Sequence, residues 1–169
     1  MLSLFKALRS APSLSAPAYD AAVNIARTRQ WYIAGAVPDT MDGRFALLST
    51  VVALVSLRLE AEGDAGRSPS VALTEAFIDD MDAQMRQEGF DATLGKKVRH
   101  MVGSLASRVD RWRQLFSGEG RWDEVVRRTV YRDEPAADAA VESTVIGLKD
   151  LRDRLAGLSL TEVVAGKWA

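Results

Sequence analysis

Between Arg44 and Arg58 the chain runs from Phe45 to Leu57 without a single charge. Spanning the hydrocarbon core of a bilayer takes about 20 apolar residues, so this stretch is too short to cross a membrane. It is also too apolar to lie on a surface. The lead-in is VPDTMDG. Pro38 holds Val37 out of helical conformation, and Asp39 is placed to act as an N-cap, with Asp42 three residues on as a weaker capping-box acid. Both acids suit the positive end of a helix dipole. A helix over Met41–Glu62 is predicted, buried deep enough that other elements must wrap it. Ala46, Ser49, Ala53, Ser56 and Glu60 fall on one narrow stripe of small or polar side chains where a neighbouring helix can come close. Phe45, Leu48, Val51, Val52, Leu54, Val55 and Leu59 are the bulky remainder. Gly43, in the first turn, costs a helix interior about 1 kcal/mol relative to alanine. It is explained either by tight internal packing or by the approach of a partner. Arg44 beside it caps a carbonyl, pairs with an acid or stands in solvent.

The rest of the chain has the same period. Over Leu94–Phe116, the residues Val98, Met101, Val102, Leu105, Val109, Trp112 and Phe116 step by three and four, an amphipathic pattern. Further helices are predicted over Pro17–Arg29, Val71–Glu88, Arg121–Arg132, Ala136–Leu155 and Leu160–Val164. The polar stretch EGDAGRSPS reads as a loop before Val71. No segment alternates with period two. The expected architecture is all-α, a single-domain helical bundle of about six to eight helices over residues 1–169. Phe45, Leu48, Val52, Val55, Val98, Met101, Leu105, Val109 and Trp112 are its expected core. Residues 1–16, with Lys6 and Arg9 among Leu2, Leu4, Phe5 and Leu8, form either a short packed helix or an amphipathic foot that touches a membrane surface.

Several chemistries are excluded. The chain has no cysteine and one histidine, His100, so thiolate catalysis, cysteine zinc sites and histidine-pair metal sites are impossible. The formal net charge of −1 argues against a surface built for DNA. GFDATLGKK, from Gly89 to Lys97, fails as a phosphate loop in its glycine spacing and in having Lys97 where a hydroxyl must bind magnesium. Asp79, Asp80 and Asp82 lack the fifth-position acid of the aspartate-rich motif in helical isoprenoid enzymes, since that place is Ala83. Glu75, Asp79 and Asp82 nevertheless share a helix face, which leaves open a magnesium-using enzyme. Lys97, Ser104, Arg108 and Arg111 share a stripe that is either a solvated face or a docking strip for an acidic partner, RNA or lipid headgroups. No catalytic set, cofactor site or small-molecule substrate is expected, and the residues by themselves favour a binding protein.

VPDTMDGRFALLSTVVALVSLRLEAEG, followed by LTEAFIDDMDAQMRQEGFDATLGKKVRHM, resembles the ubiquinol–cytochrome c chaperone family, assembly factors of respiratory complex III. The resemblance runs from about Tyr19 to Trp112 and more weakly beyond. Its most specific pieces are Pro38–Phe45, Asp79–Asp82 and Gly95–Val98. One departure is Ser104–Arg108, where the family pattern carries an aromatic–glycine pair before the arginine. The resemblance implies a non-catalytic helical chaperone, with the short chain similar to the bacterial form. Cytochrome b or another complex III component, and the ribosome, are the implied partners. The implied location is cytoplasmic, at or near the inner membrane. It also makes Asp39, Asp42, Gly43, Arg44, Asp79, Asp80, Asp82, Lys96 and Lys97 candidates for a partner-facing surface, beside Arg108 of the basic stripe. A generic helical adaptor is the remaining alternative.

Overall fold

The computed structural model describes residues 16–87 and 94–169, and among them all regular structure is helical. In chain order the helices are α1 (Ala16–Ala26), α2 (Arg29–Ile33), α3 (Met41–Glu60), α4 (Asp64–Gln87), α5 (Leu94–Phe116), α6 (Trp122–Thr129), α7 (Asp138–Ala156) and α8 (Leu160–Val164). The all-α expectation holds. The amphipathic reading of residues 1–16 and the side chains of Lys97 and Val98 lie outside what is described.

The uncharged run became the axis of the molecule. Every residue from Ala46 to Ser56 is buried, and α3 packs against α1, α4, α5, α6, α7 and α8. Two of its three buried hydroxyls find partners within the helix, while Ser56 Oγ has none. Ser49 Oγ donates to the Phe45 carbonyl at 2.6 Å, and Thr50 Oγ1 donates to that of Ala46 at 2.8 Å, the usual solution for Ser and Thr inside helices. One apolar cluster joins α3 to Trp31 of α2, Phe77 of α4, Trp112 of α5, Val126 of α6, Leu148 of α7 and Val163 of α8. Trp31 and Trp168 bury their rings while their indole N–H groups donate to the carbonyls of Ile25 and Val163, so neither leaves a polar atom stranded.

Two local expectations are corrected. The N-cap of α3 is Thr40, not Asp39: its Oγ1 accepts from the Gly43 N–H at 3.1 Å. Asp39 instead pairs with Arg44 Nε at 2.7 Å on the surface. The stretch read as a loop before Val71 is the start of α4, with Pro69 inside the helix. Gly66 makes this possible. A Cβ there would lie 1.7 Å from the Leu59 carbonyl oxygen, so the α3–α4 corner closes only because that carbon is missing.

The core expectation also shifts. Leu48, Val52, Val55, Leu105 and Trp112 are buried, whereas Phe45, Met101 and Val109 are partly buried against the cluster. The inward line of α5 is Leu105, Arg108, Trp112 and Leu115. It steps by three, four and three, turned slightly from the sequence-predicted stripe. Val102 and Phe116 consequently come to the edge, each 37% exposed. Phe116 still packs against Trp112 and Trp122, with the Arg152 guanidinium over both Phe116 and Trp122.

Candidate functional site: an arginine cleft

The rotation of α5 carries an arginine inward. Arg108 is only 9% exposed. Its Nη1 donates to Ser104 Oγ at 2.6 Å and its Nη2 to the Thr129 carbonyl at 3.1 Å. Its guanidinium lies over the Phe45 ring, 5.7 Å from the centroid. Its Nε has no hydrogen-bond partner, and among the described residues no carboxylate pairs with it. Burial, reinforced by the neighbouring charges of Arg132 and Arg111, pulls its pKa down to about 10. A buried cation is normally matched by an anion, because an unmatched one costs several times what an exposed one does.

Arg108 lies at the inner wall of a cleft of about 640 Å³ between α5 and the C-terminal end of α6. Arg99, His100, Ser104, Ser107 and Arg111 line it from α5, and Arg128, Thr129, Arg132 and Asp133 line it from the other side. Among the described residues, five arginines thus face one aspartate. Arg128 is 3.9 Å from Asp133, and Arg132 Nη1 pairs with Asp42 at 3.0 Å. Arg99 is exposed and Arg111 half-buried; among the described residues neither is in an ion pair.

The far wall is set by an unusual turn. Tyr131 is buried, and its hydroxyl lies 2.5 Å from the Gly35 carbonyl oxygen and 2.8 Å from Thr144 Oγ1. This fixes the end of α6 to the α2–α3 connection and to α7. Arg132 and Asp133 follow at φ 56° and 61°, two successive non-glycine residues in left-handed conformation. Each costs roughly 1–2 kcal/mol relative to right-handed backbone, and the turn is held by the backbone bonds from Asp133 N–H to the Arg127 carbonyl and from Glu134 N–H to the Tyr131 carbonyl, together with the buried Tyr131 hydroxyl. Arg128, on the last turn of α6, and Arg132, in the turn that follows, thus line the cleft across from the α5 arginines.

The structure gathers only part of the set expected from the sequence. Asp42 and Arg108 come together at the cleft, the former through Arg132 and the latter as its buried charge. Arg44 and Asp39 are exposed beside the start of α3. Gly43 is buried, and a Cβ there would sit 1.9 Å from the Pro38 carbonyl oxygen. Its close approach is therefore internal, the first of the two readings. Asp79, Asp80 and Asp82 lie on α4 and do not line the cleft. Asp80 accepts from the Tyr19 hydroxyl at 2.6 Å and from Gln84, and Asp82 pairs with Arg86. Among the described residues no group of three acids or histidines is placed to hold a metal ion, and the magnesium alternative gains no support. Lys96 is exposed on the first turn of α5, outside the cleft. The basic stripe on α5 is not a solvated face at Arg108, which is buried. Sequence reasoning missed Arg128, Thr129 and Arg132. The available signal was Arg128 and Arg132 four residues apart in VVRRTVYRDE, but it is the packing of α6 against α5, and for Arg132 the turn after α6, that sets them at the cleft.

The model of the family described as ubiquinol-cytochrome C chaperone matches residues 34–169. A solved structure described as the Cbp3 homolog from Brucella abortus superposes with a TM-score of 0.77 at 23% identity, covering 99% of this chain and 94% of that one. At that identity the likeness speaks for the fold. No curated protein sequence matches the chain.

Proposed function

The chain belongs to the ubiquinol–cytochrome c chaperone family, and on that premise we propose that it is a non-catalytic chaperone that holds cytochrome b during assembly of respiratory complex III, at the cytoplasmic face of the inner membrane. The observation that carries this reading is the family match, which takes in α3 and both walls of the arginine cleft. Two features of the molecule agree with it. The cleft offers hydrogen-bond donors and positive charge, which suits recognition of an anionic partner. Among the described residues no helix is long and apolar enough to cross a membrane, and on this reading any membrane contact is peripheral.

The test is a deletion of the gene in its own host together with a pull-down of the tagged full chain from detergent-treated membranes. Loss of assembled complex III, and cytochrome b recovered with the tagged chain, support the reading. Normal complex III in the deletion strain, with no cytochrome b in the pull-down, overturns it.

A further inference from the structure

The arginine cleft asks for an anion, and its shape restricts which one. From Arg99 to Arg111 the basic wall covers twelve residues of α5, about 18 Å at 1.5 Å per residue. An extended polypeptide covers that length in about five residues, whereas a single small anion would reach only one or two of the arginines. Among the described residues the cleft-lining side chains that always carry positive charge are arginines, whose planar fork takes carboxylates or phosphates with two parallel hydrogen bonds. Single-stranded RNA sites pair a positive groove with several aromatic rings on which successive bases stack, and among the described residues lining the cleft His100 carries the one ring. A bilayer surface is flat on this scale, and Arg108 is too recessed to meet its headgroups.

We propose that the α5–α6 cleft binds an extended acidic segment of a protein, with Arg99 and Arg111 gripping its carboxylates above the buried charge of Arg108. Arg128 and Arg132 close the opposite wall. Their surface acids, Asp133 and Asp42, are exposed partners that the incoming carboxylates replace or join. Ser104 keeps the Arg108 guanidinium facing the cleft, and Ser107 offers a neutral hydrogen bond beside it. The inference rests on the chaperone reading only for the source of the segment, which on that reading is the client; the site itself does not depend on it.

The experiment uses the purified full chain and a fluorescein-labelled ten-residue peptide containing alternating glutamates, followed by fluorescence anisotropy. The same peptide with glutamine in place of glutamate, an oligouridylate RNA and phosphatidylglycerol-containing vesicles are measured in parallel. The acidic peptide is expected to bind with an affinity that falls as salt rises, and the glutamine peptide not to bind. Arg99→Glu and Arg111→Glu, both at positions with solvent access, are each expected to weaken binding on the order of tenfold or more with melting temperature kept. Arg67→Glu, which changes net charge equally on α4 outside the cleft, is expected to leave binding unchanged. Equal binding of the glutamine peptide overturns the proposal. So does equal weakening by Arg67→Glu, or an Arg111-dependent preference for RNA or vesicles over the peptide. Peptide binding without cytochrome b in the membrane pull-down would uphold the site and remove the client assignment. Cytochrome b recovery that survives Arg111→Glu, with no peptide binding, would do the reverse.

Discussion

Replacing Gly43 by alanine sets two well-known effects against each other. In a first helical turn alanine is favoured over glycine, by up to about 1 kcal/mol. Here the added methyl would lie 1.9 Å from the Pro38 carbonyl oxygen and 2.9 Å from its carbon. Real Cβ contacts begin near 3.0 Å, so the Pro38 peptide must withdraw by more than an ångström. It has little freedom to do so. Its ring fixes φ, and the preceding Val37 is buried with its N–H bonded to the Trp31 carbonyl at 3.0 Å. Overpacking of this kind costs about 1–3 kcal/mol, and displacing Thr40 from its cap on the Gly43 N–H costs about 1 more. The net expectation is a loss of roughly 1–3 kcal/mol, or about 3–9 °C in Tm for a chain of this length. Urea unfolding followed by far-UV circular dichroism measures it, with an unchanged m-value showing that the unfolded state is the same. Gly43→Ala as stable as the parent, or more so, would show that the Pro38 loop yields freely and that the internal explanation of this glycine is wrong.

Three other perturbations test the framework. Tyr131→Phe removes the hydroxyl between the carbonyl of Gly35 and Thr144; a loss of about 1–3 kcal/mol is expected, read by thermal melting. Arg108→Met, which keeps the long stem and removes the unmatched charge, should stay within about 1 kcal/mol of the parent, whereas Arg108→Ala should lose about 2–4 kcal/mol by opening a cavity under Phe45. Equal losses for the two in urea unfolding would mean that the charge itself is stabilising. At α8, the Glu162 carboxylate accepts from the Ser159 N–H and hydroxyl, which holds its pKa below the ordinary 4.5. A lowered folded-state pKa gives stability that is present above the unfolded value and lost as pH falls through the folded one. The melting-temperature gap between the parent and Glu162→Gln should accordingly be open at neutral pH and close as acid protonates the Glu162 carboxylate in the folded chain.

The fold class was legible because periodicity needs no long-range information. An uncharged run between Arg44 and Arg58, too short for a bilayer, has to be a central helix, and the three-and-four stepping of Leu94–Phe116 has to be amphipathic. The boundaries were less legible. Pro69 and two glycines read as a loop, but Gly66 belongs to a helix start, because what it permits is contact with the Leu59 carbonyl on another helix. The site was hidden for the same reason. Leu105, Arg108, Trp112 and Leu115 form as regular a stripe as the one predicted. Composition points an arginine outward; packing against Phe45 and the Thr129 carbonyl turned it inward. By itself the sequence determined that the chain is helical and where its most apolar segment lies, since hydrophobic spacing acts locally along the chain. Only the tertiary structure decided which way α5 faces and that Arg128 and Arg132 stand opposite it. A rotation of a few tens of degrees, and a left-handed turn held by Tyr131, are fixed by contacts between residues far apart in sequence.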